Sequence, residues 1–243
     1  MKKILSTLIL AALGTAAFAQ PGGPAPSGIN AALLNFFGTT RAFSSKADVR
    51  LTDKAGKEIS RLPMQMFLLD GKMRAEMDLS LMKGGQMPPE ATLMLKQAGM
   101  DKMVSVILPD RQVTLVIYPG MQAYAEVPMT KEESSSDKDV KIEKTAAGQE
   151  TIDGHPCVKN KISITDAKGK TTEGMVWNAS DLKDFPLRVE MKEKDNLVTI
   201  QYTEPKFDKP ETKLFEAPAG FTKHANVQQM MQTAMMKLIG GGK

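Results

Sequence analysis

A chain of 243 residues with a 42% apolar share is long enough for one generous domain or two small ones, and it can bury a real core. Its formal charge of +4 is ordinary, and no basic tract or aromatic-interleaved stripe marks a nucleic-acid binder. A single cysteine, Cys157, excludes an intramolecular disulfide, so stability has to come from burial and backbone pairing.

Lys2 and Lys3 open the chain with positive charge, an apolar and small-residue run follows over 4–16, and Ala17-Phe18-Ala19 supplies an A-x-A cleavage site. The pattern predicts an export signal over 1–19, cleaved near Ala19-Gln20, because the run is shorter than the roughly 20 residues of a membrane span. Gln20 stands where a lipidated protein needs cysteine. The expected mature chain is near +2, has no transmembrane segment, and is soluble in the periplasm or outside the cell, where ATP-driven chemistry has no fuel.

Residues 20–28 read as a Pro/Gly linker, and 29–243 as a single domain. Ser27 can cap a short apolar helix over 29–37 that Gly38 ends. The period then changes to two. Phe43, Ser45, Ala47, Val49 and Leu51 alternate with polar residues, a second strand puts Leu62, Met64, Met66 and Leu68 on one face, and the Asp70-Gly71 hairpin leads to a third with Met73, Ala75, Met77 and Leu79. A helix is expected over 88–99, started by Pro88-Pro89 and closed by Gly99. Strands resume over 102–108, 113–118 and 122–128, and the charged run 130–144 reads as a solvated loop passing into a strand. Further strands follow over 158–165, 172–177, 187–192 and 197–203. An amphipathic helix closes the chain over 225–239, with Val227, Met230, Met231, Ala234, Met235 and Leu238 on its apolar side. About ten hairpin-connected strands with few short helices predict a mainly β (α+β) fold, a curved and mostly antiparallel sheet.

Catalytic constellations are thin. His155-Pro156-Cys157 lacks the three or four ligands of a zinc site, and no C-x-x-C is present. Ser180-Asp181-Leu182-Lys183 matches S-x-x-K, but the companion S-D-N and K-T-G elements are missing. There is no G-x-S-x-G, H-E-x-x-H or phosphate loop, and Asp110, Asp184 and Glu190 form no paired-carboxylate pattern. The reading is of a chain that is not an enzyme and carries no cofactor or metal. The 18 methionines are the most suggestive signal, since thioether side chains adapt to variable apolar ligands as well as filling core gaps. They also select copper(I), for which Met64-Gln65-Met66 is a loose match without a nearby histidine.

Several stretches occur in a telling order: DGKMRAEMD (70–78), GMDKMVSVILPD (99–110), VIYPGMQAYAEVP (116–128), GQETIDGHPC (148–157), WNASDLKDFPL (177–187) and FEAPAGF (215–221). Together they resemble an uncharacterised exported bacterial family, domain of unknown function 4412. That family is in turn remotely similar to the periplasmic lipoprotein carriers and outer-membrane lipoprotein receptors of the Lol system. The resemblance implies an unclosed antiparallel half-barrel with short helices across its concave side and an apolar hollow that takes acyl chains.

The expectation is therefore a periplasmic carrier or binding protein for a lipid, lipoprotein acyl chains or a similar ligand, with an acylated protein or envelope membrane component as partner. Met64, Met66, Leu68, Met73, Met77 and Ile117, with Met231 and Met235 of the last helix, are the expected contacts, and Arg74 is the head-group candidate. The alternatives are a dry structural or interaction module of the envelope and a methionine-based copper(I) binder.

Overall fold

The two-residue period of the sequence becomes strand after strand. In the computed structural model, which describes residues 36–85, 88–129, 141–165, 169, 171–193 and 195–240, β1 (Ala42–Thr52), β2 (Glu58–Leu69) and β3 (Lys72–Asp78) bury every second residue, among them Phe43, Ala47, Leu62, Met66, Met73 and Met77. Asp70 and Gly71 both take positive φ, 47° and 82°, which is the backbone a two-residue hairpin demands between β2 and β3. The expected export signal, the linker, most of the helix expected over 29–37 and the run 130–140 lie outside the described residues.

A two-residue β4 (Lys83–Gly84) pairs with β2, and α1 (Pro89–Gln97) follows with Pro88 at its N-cap. Next come β5 (Lys102–Leu108), β6 (Val113–Tyr118), β7 (Ala123–Pro128), β8 (Lys141–Ile152), β9 (His155–Thr165), β10 (Thr171–Ala179), β11 (Phe185–Glu193), β12 (Asn196–Lys206) and β13 (Thr222–His224). The last element, α2 (Val227–Ile239), starts at Asn226, whose side chain accepts from the Gln229 N–H while the Gln229 side chain accepts from the Ala225 N–H. The first bond satisfies one of the helix's free amides, and the second ties the residue before the cap to the first turn.

The thirteen strands of the described residues belong to one sheet, ordered β13-β7-β6-β5-β3-β2-β1-β12-β11-β10-β9-β8, with β4 beside β2. Every pairing is antiparallel except β13 on β7. The first and last long strands meet in the middle, so β7 and β8, consecutive in the chain, stand near opposite edges. Ten inter-strand gaps separate them, about 48 Å along a flat sheet at about 4.8 Å per gap. The 13 peptide steps from Pro128 to Lys141 span at most about 47 Å fully stretched. A flat sheet would leave no slack, so chain length itself favours the observed curve. The edges do not pair with each other, and the sheet stays open.

The inner face carries one contiguous apolar cluster drawn from every long strand from β1 to β12. Phe37 caps it on an aromatic group, its ring 4.7 Å from Phe43, 5.7 Å from Phe185 and 5.6 Å from Tyr202. The helices add cover: α2 buries Val227, Met230 and Ala234, and α1 contributes Leu95. The end of α1 comes down backbone to backbone on the β6–β7 turn, because Gly99 and Gly120 leave no room for side chains. A Cβ on Gly99 would stand 2.6 Å from the Gly120 carbonyl.

A second apolar cluster lies on the outer face, centred on β5 and β6 with Val104, Val106, Leu108, Leu115 and Ile117 and joined by Leu69 and Phe67 of β2 and Tyr124 of β7. It is covered by the segment 207–221 that runs from β12 to β13, through Leu214, Phe215 and Phe221. The chain then turns round the β7 edge as β13 and returns over the inner face as α2. The C-terminal segment therefore covers β5–β7 from both sides. By contrast β8, the far edge, buries only Ile152. Charged side chains along it, Lys141, Glu143, Lys144 and Glu150 among them, disfavour pairing with another chain.

Candidate functional site

Register sets the layout of the inner face. Across β1, β2, β3, β5, β6 and β7 the inward residues line up in three rows, because directly opposed residues share a face about 5 Å apart. One row runs Ala47, Met64, Met77, Met103, and the pairing of Val104 with Ile117 sets Tyr118 next, followed by Ala123. The middle row is Ser45, Met66, Ala75, Ser105, Val116, Ala125. The third is Phe43, Leu68, Met73, Ile107, Thr114, Val127. No residue in the three rows is charged.

Five of the expected contacts, Met64, Met66, Leu68, Met73 and Met77, are thus neighbours on β2 and β3 and buried in the inner cluster. Met103, missed from sequence, continues their line into β5. Met231 is half-buried against the same cluster. Two expectations need correction as to place. Ile117 sits on the outer face, beneath the 207–221 segment, because β6 is buried on both sides and its parity is not legible from an unbroken apolar run. Met235 is 42% exposed, since the packed stripe of α2 is the narrower Val227, Met230, Ala234 line. Arg74 points outward, as its alternation with Met73 and Met77 requires: its Nη1 donates to the Leu214 carbonyl at 2.7 Å and its Nε to Glu76 at 2.7 Å. It fastens the outer segment to β3.

The buried polar groups divide into two kinds. The Ser45 hydroxyl donates within 2.8 Å of the Thr203 carbonyl, and the Asn178 amide donates to the Asp184 carbonyl at 2.8 Å. Among the described residues, Ser105 Oγ and Tyr118 Oη have no hydrogen-bond partner. Burial pushes the Tyr118 phenol up to about 12.

Elsewhere the chemistry is structural. The Cys157 thiol is buried, donates to the His155 carbonyl at 3.4 Å, and is pushed up by burial, the reverse of what a reactive thiolate needs. His155 Nδ1 lies 2.8 Å from Asp181 at an exposed corner. Trp177 donates to Glu150 and carries Lys159 and Arg188 over its ring, a packed surface network. Among the described residues, no group of three histidine, cysteine or acidic side chains is placed to hold a metal ion, and no helix is long and apolar enough to cross a membrane.

A family model described as a domain of unknown function (DUF4412) matches residues 60–197, more than half of the sequence. The chain belongs to that family. None of the curated proteins matches it in sequence. Among solved structures this family member is similar to a LolA superfamily protein from Nitrosomonas europaea (10% identity, TM-score 0.44, covering 77% of this chain and 98% of that one). It is also similar to LprF from Mycobacterium bovis (13%, 0.41, 79% and 96%) and to the lipoprotein LppX from Mycobacterium tuberculosis (14%, 0.39, 71% and 90%).

Proposed function

We propose that this chain is a non-enzymatic binding or carrier protein for a hydrophobic ligand, a lipid or the acyl chains of a lipoprotein, acting as one domain in the periplasm after export. The observation that carries the reading is the methionine row of the inner face. Met64, Met77 and Met103 stand side by side on three strands, with Met66 in the middle row and Met73 in the third. Unbranched thioether side chains repack at little cost, so a face made of them can admit apolar guests of different shape. A curved open sheet with short helical cover lets such a face be reached when α2 shifts.

Native mass spectrometry of the mature protein isolated from periplasm, with lipid analysis of an organic extract of the same sample, tests this. A stoichiometric acyl-containing adduct is the expected result. A mass that is apo on isolation, and still apo after incubation with phospholipid vesicles and an acylated peptide, would overturn the carrier reading in favour of a dry structural module.

A further inference from the structure

The methionine rows describe an apolar lining. The two hydroxyls without partners describe something else. Ser105 and Tyr118 are 4% and 0% exposed, and a hydroxyl buried without a hydrogen bond gives up its water with nothing in return. Ser105 sits between Met103 and Ile107, both in the inner cluster, so the strand period turns its hydroxyl to the same face. Tyr118 belongs to that cluster itself. Ser105 lies opposite Val116, two residues from Tyr118, which makes the pair diagonal neighbours across the β5–β6 ladder and within reach of an aromatic side chain. Their surroundings are small: Ala75 and Val116 flank Ser105 in its row, Ala125 lies beyond, and Ala123 stands beside Tyr118. The contrast with Ser45 is direct. That serine shares the row, is equally buried, and is satisfied by backbone carbonyls.

We propose that Ser105 and Tyr118 form the polar anchor of the hollow and donate to the carbonyl oxygen of an uncharged acyl ester lying over the small residues between them. The assignment rests on the carrier reading and specifies its ligand. Two neutral donors in a water-excluded layer suit a carbonyl. The rows hold no cation to neutralise a carboxylate or phosphate, so a free fatty acid or a phosphate group would leave its charge unpaired there. The acyl chain then extends along the methionine row from Met103 towards Met64.

The test compares methyl hexadecanoate with hexadecane, each competing for a fluorescent apolar probe bound to the wild-type protein, to S105A, to Y118F and to the double variant. The wild type is expected to favour the ester about tenfold or more, each single variant to lose about three- to tenfold of that preference, and the double variant to bind both ligands alike while keeping its alkane affinity. Apo stability of the variants is expected to be equal to wild type or higher, since each removes an unpaired buried hydroxyl, so a folding defect cannot imitate the result. Equal binding of ester and alkane by the wild type, or an ester preference that survives in the double variant, overturns the anchor and leaves the carrier reading standing. Failure of the wild type to bind either ligand overturns the carrier reading and the anchor with it.

Discussion

Arg74 offers a sharp test of how the two faces divide their work. Its guanidinium is only 14% exposed and makes two hydrogen bonds of 2.7 Å, to the Leu214 carbonyl and to Glu76. The Glu76 carboxylate is 39% exposed, so that ion pair is worth at most about 1 kcal/mol. The bond to Leu214 is different, because a charged donor loses its water to hold down the segment that covers Val106, Leu115 and Ile117, and such bonds are worth about 1.5–3 kcal/mol. Arg74→Met keeps most of the aliphatic stem and removes both bonds. It is expected to cost about 2 kcal/mol, a fall in Tm of about 4–8 °C for a chain of this size, with faster proteolysis within 207–221. Ligand binding should be unchanged, since the side chain lies on the side of the sheet away from the hollow. Chemical denaturation, limited proteolysis and a probe-binding titration read the three effects. A variant of full stability that has lost its ligand would refute the outward fastening and restore Arg74 as a head-group residue.

Three further predictions rest on separate features. Burial pushes the Tyr118 phenol to about 12 and raises that of Tyr202 further, so neither should ionise until the fold opens. Above the unfolded value of about 10 the native state holds protons that the unfolded chain has released, and stability should fall by about 1.4 kcal/mol per pH unit for each tyrosine, with no such effect below pH 10. Thermal unfolding from pH 9 to 12 checks this, and Y118F should halve the slope between about 10 and 12. Asn226→Ala removes the cap of α2 and should cost about 1 kcal/mol, read by denaturation and by hydrogen exchange within the helix. A copper(I) titration against a chromophoric chelator is expected to show no sub-micromolar site, because the clustered thioethers have no imidazole beside them in the three rows.

Much of the sheet was legible because β1, β2 and β3 bury one face only. A period of two then names the inward residues directly, and Phe43, Met66 and Met77 fall where alternation puts them. β5 and β6 were legible as strands but not as faces. Their runs MVSVIL and VTLVIY are apolar on both sides because the 207–221 segment, about a hundred residues later, covers the outside, and nothing local announces it. The misplacement of Ile117 follows from that, and the partner of the outward Arg74, the Leu214 carbonyl, lies on the same distant segment. β8 was read in part as a solvated loop since its residues are exposed on both faces, and only pairing with β9 makes it a strand. β13 has three residues and no apolar signature, so its place beside β7 is set by tertiary contacts alone. The meeting of Ser105 with Tyr118 was out of reach for another reason: it depends on the register of β5 against β6, and one residue of slip would send the serine to the other face.

The same contacts that hid the faces of β5 and β6 explain why an anchor belongs there. A hydrogen-bonding group selects a ligand only if it is held in place before the ligand arrives, since every side chain or strand ordered on binding subtracts from the affinity gained. β5–β7 are held from outside the hollow: the 207–221 segment lies on their outer face and β13 pairs with their edge. Ser105 and Tyr118 stand on this fixed part. The thioethers of Met64, Met66, Met73 and Met77 stand on β2 and β3, where each side chain has several rotatable bonds and adapts without moving a strand. A rigid polar end beside a yielding apolar floor is an arrangement that discriminates by the ligand's head and tolerates variation in its tail. On this account, replacing methionine by leucine along the row should narrow the range of chain lengths bound and leave the ester preference intact, because the two properties reside on different strands.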